Sequence, residues 1–203
     1  MKKKLHKNRR HANGESGFSL LEVLISMAVM TIGLVGLLGT LGMAMAATQN
    51  SEQLAIAKRL ANEAMEGILT ARETTQVDWA QIANGSCNIG DTCGIFLAGA
   101  QPIYNPGADG IIGTNDDAAA GAQILDSPGP SGIIITPEGQ PCAAPDVCTS
   151  LSNFKRTITI APVTVSGVAD GNLNSVVITV TYTNPQFRAP QNYVLATLIS
   201  SYR

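Results

Sequence analysis

A chain of 203 residues, 45% hydrophobic and only 14% charged, has room for one small domain beside a membrane-sized apolar segment. Its formal charge is −2, and beyond the amino terminus only Lys58-Arg59 and Lys155-Arg156 are adjacent basic pairs, so no basic footprint for nucleic acid exists. Both histidines, His6 and His11, lie within the first 17 residues. The remainder therefore has no imidazole for a Ser-His or Cys-His pair or for a metal, which argues against an enzyme.

Residues 1–17 hold Lys2, Lys3, Lys4, Lys7, Arg9 and Arg10, six of the thirteen basic residues. Positive charge beside an apolar segment fixes that flank on the cytoplasmic side. An almost wholly apolar run follows over residues 18–47, long enough to span a hydrocarbon core of about 30 Å. One acid, Glu22, stands near its start, while residues 23–51 contain no charge. A carboxylate in hydrocarbon costs several kcal/mol unless neutralised, so an intramembrane acid is a functional candidate. A secretory signal cut at Ala44-Met45-Ala46 is the alternative, and it leaves Glu22 without a purpose.

No proline interrupts this run, and Gly33, Gly36, Gly39 and Gly42 recur every three residues near one helical face. Small residues so spaced let helices approach closely in membranes, although each glycine also weakens a helix by about 1 kcal/mol relative to alanine. Helix formers continue over residues 48–77. Leu54, Ala57, Ala61, Ala64, Ile68 and Ala71 form one apolar stripe, with Glu52, Lys58, Arg59, Asn62, Glu63 and Glu66 covering the remainder. One helix over residues 18–73 would run about 84 Å, its second half packed on a globular domain.

Residues 78–153 fill with Gly, Pro, Asn, Asp and Ser and read as loops with short strands. Cys87 and Cys93, and Cys142 and Cys148, are two pairs with five-residue spacers. An exported domain meets an oxidising compartment, and of three possible connectivities local pairing is preferred because each spacer holds turn formers. A four-thiolate zinc site is the alternative, disfavoured because cysteine zinc motifs use shorter spacers. Within residues 105–117, Asp109, Asn115, Asp116 and Asp117 could offer Ca2+ hard oxygen ligands, but the spacing is not that of an EF-hand. A polar turn whose Asp and Asn side chains bond their own backbone is the preferred reading.

Residues 154–203 alternate with period two. Ile158 and Ile160 share one face and Thr157 and Thr159 the other; Val176, Ile178, Val180 and Tyr182 fall together; residues 192–202 are a third strand candidate. Asp170-Gly171 and Asn184-Pro185 are the expected turns. The whole predicts an α+β fold, a long amino-terminal helix packed on a small antiparallel β-sheet.

The step from a basic leader to Gly17-Phe18, with Glu22 shortly after, resembles the type IV prepilin signature. Residues 32–41 and 60–66 look like the PilV-type minor pilins, the type IV pilus modification family, and Gly39 stands where major pilins usually carry proline. The resemblance implies cleavage between Gly17 and Phe18 by the prepilin peptidase and N-methylation of Phe18. It also implies that Glu22 meets the amino terminus of an adjacent pilin during assembly. Loss of residues 1–17 would take six basic residues and Glu15, leaving seven basic against fourteen acidic residues and a formal charge of −7. The implied place is the inner membrane, single-pass, with the carboxy-terminal domain outside the cytoplasm, then the pilus at the cell surface. The implied role is a minor pilin incorporated into or priming a pilus for adhesion, motility or DNA uptake. An I-type minor pseudopilin of type II secretion, or a membrane-anchored module binding calcium or a surface ligand, are the alternatives.

Overall fold

The computed structural model describes residues 19–127, 134–137, 147–183 and 189–202, with side chains left undescribed at 124–127, 134–137 and 147–150. Gly17, Phe18 and Cys142 lie outside the described residues, as do the side chain of Cys148 and the expected turn at Asn184-Pro185.

Helix α1 spans Leu20–Glu73, 54 residues without proline. Ser26, Thr31 and Thr40 donate their hydroxyls to the carbonyls of Val23, Ala28 and Leu37 at 2.8–2.9 Å. These three hydroxyls thereby have partners within the helix, as a segment placed in lipid requires. The helix ends where Thr75 turns left-handed (φ 60°). Gln76 N–H then reaches back to Ala71 O at 3.0 Å, and Val77 closes the turn from inside the core.

Two compact units divide the chain, Met1–Ala47 and Thr48–Arg203. In the first, no described residue is buried. In the second, α1 buries Ile56, Ala57, Leu60, Ala61, Ala64, Met65, Ile68 and Ala71. The apolar stripe is therefore broader than residues three and four apart suggest: Ile56, Leu60 and Met65 join it, and Leu54 is only half-buried.

That face packs on a four-stranded antiparallel sheet in the order β1-β5-β6-β7. Its strands are β1 (Ala100–Pro102), β5 (Phe154–Val165), β6 (Val168–Tyr182) and β7 (Gln191–Ser200). Phe154, Ile158, Ile160, Val176, Ile178, Val180 and Tyr182 point into a single core shared with α1, as the alternation predicts. Phe154 and Tyr182 stack across the strand pair with centroids 5.6 Å apart.

The turn between β5 and β6 is a correction. The chain reverses at Ser166-Gly167, both at positive φ (51° and 83°), the two-residue geometry that matches strand twist. Asp170-Gly171 lies inside β6. Between the pairs Pro162↔Asn174 and Thr164↔Ala169, residues 170–173 face the lone Val163 of β5. They form a bulge in which Asp170 accepts a hydrogen bond from Asn172 N–H and Trp79 Nε1 donates to Gly171 O at 2.7 Å.

The described parts of residues 78–153 hold more regular structure than their turn-rich composition suggests. They contribute a 3-10 turn (Trp79–Gln81), β1, the short helix α2 (Asp117–Ala120) and a second antiparallel sheet. That sheet has the order β3-β2-β4, from β2 (Gln123–Ser127), β3 (Ile134–Pro137) and β4 (Val147–Ser150).

Candidate functional site

Two places in the chain carry chemistry. The first is the start of α1. Glu22 lies in the first turn, its N–H bonded to Ser19 O at 2.9 Å, and its side chain is exposed on an apolar surface with Leu21, Ile25, Val29 and Met30. The first turn favours a negative charge, because unpaired N–H groups point toward it. Leu20, Leu21, Leu24, Ile25, Met27, Val29 and Met30 are all more than half exposed. Such a surface is stable only in lipid or against other helices. It belongs to the one helix among the described residues long and apolar enough to cross a membrane. Around the four glycines of the stripe, an added Cβ would meet nothing within 4 Å. Nothing in the chain's own packing requires glycine there.

The second place is the loop over residues 105–117. It brings Asp109, Asp116 and Asp117 together, with one carboxylate oxygen of each within 4.8 Å of the others. Backbone donors arrange them. Ile111 N–H donates to Asp109 Oδ1 at 2.7 Å, a side-chain turn of the kind Asp favours. Asp109 N–H donates to Asp116 Oδ2 at 3.2 Å, and Gly107 and Gly113 N–H donate to the two oxygens of Asp117. Thr114 adds its hydroxyl to Asp116 Oδ1 at 2.8 Å. Gly107 is fixed by this geometry, since a Cβ there would collide with the Asp116 carboxylate. Asn115 points elsewhere. Its amide donates to Ser86 O at 2.9 Å and ties the loop to its neighbour.

That neighbour is the turn closed by the Cys87–Cys93 disulfide, Cα atoms 6.0 Å apart. Buried Gln81 holds it from inside, donating to Asp91 O at 3.0 Å and Asn88 O at 3.4 Å. A cleft of about 350 Å³ lies between the two loops, bordered by Cys87, Asn88, Ala108, Asp109, Asn115 and Asp116.

Burial pushes the carboxyls of Asp109 and Asp117 up, and the charge of Asp116 adds to the effect at Asp109. Burial also acts upward on Asp116, but hydrogen bonds from Thr114 and the backbone outweigh it and hold that carboxyl below the ordinary value. Two raised acids around a lowered one form a site whose second and third charges come at a cost. A hard divalent cation suits this donor set, because its charge would offset the crowding and its ligands are oxygens. The existing N–H bonds leave further lone pairs on every carboxylate.

Arg156 is a buried charge that sequence reasoning passed over. It is 4% exposed on the inward face of β5, between Phe154 and Ile158. Its Nη1 donates to Leu60 O at 3.4 Å, and it borders, with Asp117, a cavity of about 100 Å³. Desolvation lowers its pKa, while the charges of Glu63 and Asp117 act the other way. The same period-two alternation that places Ile158 and Ile160 inward places Arg156 inward too. That signal was available. Asn84 was also unforeseen: it bridges β5 to the disulfide region, donating to Ile158 O at 2.8 Å and accepting from Ile160 N–H at 2.7 Å.

The fold and these places define a class, an α+β subunit led by one exposed apolar helix that carries a solitary acid. Residues 12–38 match the family described as the prokaryotic N-terminal methylation motif, a match that supports a type IV pilin-like protein. The match covers the last residues of the leader, Gly17, Phe18, Glu22 and the apolar run as far as residue 38. It implies processing by the prepilin peptidase and interaction with other pilins, and with the apolar helix it is consistent with inner-membrane anchoring. No curated protein matches the chain, and no solved structure matches it.

Proposed function

We propose that this protein is a minor pilin of the PilV type, a non-enzymatic subunit that enters or primes a type IV pilus. One observation carries the reading: Glu22 is exposed at the head of a helix whose next charge is Glu52, within a matched methylation motif. In this reading the prepilin peptidase cuts between Gly17 and Phe18, and Phe18 becomes the methylated amino terminus. Glu22 then meets the positive terminus of a neighbouring pilin, which neutralises two charges otherwise stranded in lipid. Burial strengthens that attraction while desolvation offsets much of it, so the pair sets register more than it adds stability. The leader stays cytoplasmic, residues 48–203 lie outside the cytoplasm, and Cys142 pairs with Cys148 as Cys87 does with Cys93.

Mass spectrometry of the mature protein tests the first step. The expected amino-terminal peptide begins with methylated Phe18, and a start near Ala46 would sink the proposal. Recovery with sheared pili, and not with a secretion complex, separates the pilus role from that of an I-type pseudopilin.

A second reading rests on the cluster of Asp109, Asp116 and Asp117. In it the exported domain takes up calcium through these carboxylates, with Asn115 at the rim, and the ion fixes the loop over residues 105–117. The expected result is a higher Tm with calcium than with EGTA, lost in Asp116→Asn. An unchanged Tm leaves the loop a self-bonded turn.

A further inference from the structure

A pocket of about 100 Å³ opens at the edge of the main sheet where β1 is the last strand. Gln101 of β1 stands directly opposite Arg156 of β5, and both line the pocket. Pro102 and Ala118, also in its wall, are exposed and mark its mouth, with Tyr104 half-buried beside them. The floor is different. Arg156, Asp117 and Thr114 are each at most 4% exposed, so a guanidinium, a carboxylate and a hydroxyl meet in one recess.

Each of these groups keeps bonding capacity. Gly107 and Gly113 N–H each take a lone pair on one Asp117 oxygen and leave the others. Thr114 directs its proton toward Ile111 O and Asp116 Oδ1, and its own lone pairs remain. The guanidinium has five N–H donors, one of which reaches Leu60 O at 3.4 Å. Buried polar groups with capacity to spare call for a polar occupant. Charge then narrows the choice. The charges of Glu63 and Asp117 both act on Arg156, two negative against one positive, so a further anion is repelled. A cation would meet the guanidinium. The occupant is therefore neutral, with donors for Asp117 and Thr114 and an acceptor for Arg156.

Size narrows it further. An apolar cavity of about 150 Å³ holds benzene, so this pocket takes roughly four non-hydrogen atoms. The O–C–C–O edge of a vicinal diol has that size, and each hydroxyl both donates and accepts. A primary amide is as small, but it would arrive on a peptide whose backbone needs partners at the mouth. There Pro102 has no N–H and Ala118 offers only a methyl group. The C–H face of a sugar ring needs no such partner and suits Pro102 and the Tyr104 ring. We propose that this pocket binds a sugar by a vicinal diol. One hydroxyl accepts from Arg156 and donates to Asp117, the other bonds Thr114, and the ring lies on Tyr104. The site does not depend on the minor-pilin reading, and it needs no calcium.

The test is saturation-transfer NMR on the full-length chain in a sugar-free zwitterionic detergent, with EGTA present. The probes are the methyl glycosides of galactose, glucose and mannose, together with glycerol, acetamide and acetate. At least one glycoside is expected to receive saturation, most strongly at the C–H groups of its buried diol. Ala118→Trp fills the mouth from an exposed position and is expected to weaken that glycoside about tenfold while keeping the Tm. Tyr104→Ala, which removes the ring at the mouth, provides the same check should the tryptophan disturb folding. No transfer to any glycoside, or undiminished binding by both variants, overturns the proposal. So does glycerol, acetamide or acetate bound as tightly as the glycoside.

Discussion

Arg156 brings a full charge among Phe154, Ile158 and Leu60, and the charges of two acids act against the cost of burying it. Glu63 comes from α1 and Asp117 from the loop over residues 105–117, and the charges of both offset the desolvation of the guanidinium, which bonds Leu60 O of α1. Removing one partner of a buried pair leaves the others uncompensated and typically costs 3–5 kcal/mol. Arg156→Met is expected to destabilise by about 3 kcal/mol, the low end because Glu63 keeps partial contact with water. Arg156→Met combined with Asp117→Asn should cost less than the two single changes together, because each removes what the other leaves stranded. Denaturant titration of the four proteins measures this, and strict additivity would show that the two groups do not interact. Protons provide a second check. The carboxyls of Asp109 and Asp117 sit above the ordinary 3.8, so they bind protons more tightly folded than unfolded. Stability from these two groups is present at low pH and is lost as pH rises through their folded values. Asp116, held below 3.8, acts oppositely, and its contribution is lost as pH falls through its folded value. A bound calcium ion must displace the protons from Asp109 and Asp117. The calcium-induced rise in Tm should therefore grow as pH climbs through their titration. A pH-independent rise would place the ion elsewhere.

Elements differ in how far they could be read from sequence, and the differences have physical causes. α1 and the inward rows of β5 and β6 were legible because burial of one face imposes a period on the residues. The position of Arg156 followed from that same period, but basic residues are so rarely buried that a Lys-Arg pair reads as surface. The hairpin turn was misplaced for a local reason. Asp-Gly is the stronger turn signal, yet here it makes a bulge, and the less distinctive Ser166-Gly167 takes the positive φ angles. The sheet β3-β2-β4 was not legible as a sheet, since its strands are four or five residues long and bounded by Pro and Gly. The acidic loop was recognised, but spacing does not reveal that the Asn115 amide bonds Ser86 O. That bond makes the disulfide turn and the acidic loop one mechanical unit. Closing so short a loop stabilises by about 2 kcal/mol on a chain-entropy estimate. Replacing Cys87 and Cys93 together by serine is expected to lower stability by about that amount. It should also speed hydrogen exchange at Gly107 and Gly113, whose N–H groups bond Asp117. Unchanged exchange there, measured by mass spectrometry on the intact chain, would mean the two loops are independent.

At the scale of the whole molecule, the residues proposed for assembly and the residues that hold the fold do not overlap. Among the described residues every buried hydrophobic one lies at or beyond Ile56, whereas Glu22 and the glycines of the stripe are exposed in the first unit. Glu22 is exposed, and none of the described residues of its unit is buried. A side chain at Gly36 meets open space in the chain itself but would stand between closely packed helices. Glu22→Ala and Gly36→Leu are accordingly expected to leave the Tm unchanged, within about 0.5 kcal/mol of stability, as surface substitutions usually do. Both should sharply reduce the amount of protein recovered with sheared pili. A fragment of residues 48–203 provides the converse case. It keeps the core of α1 and both sheets, and is expected to unfold cooperatively at the Tm of the full chain's domain, yet never to appear in pili. Circular dichroism melts and immunoblots of sheared filaments measure the two quantities separately. If Glu22→Ala lowered the Tm, the acid would be serving the fold. If the mutant were recovered with pili at wild-type levels, the acid would have no part in assembly.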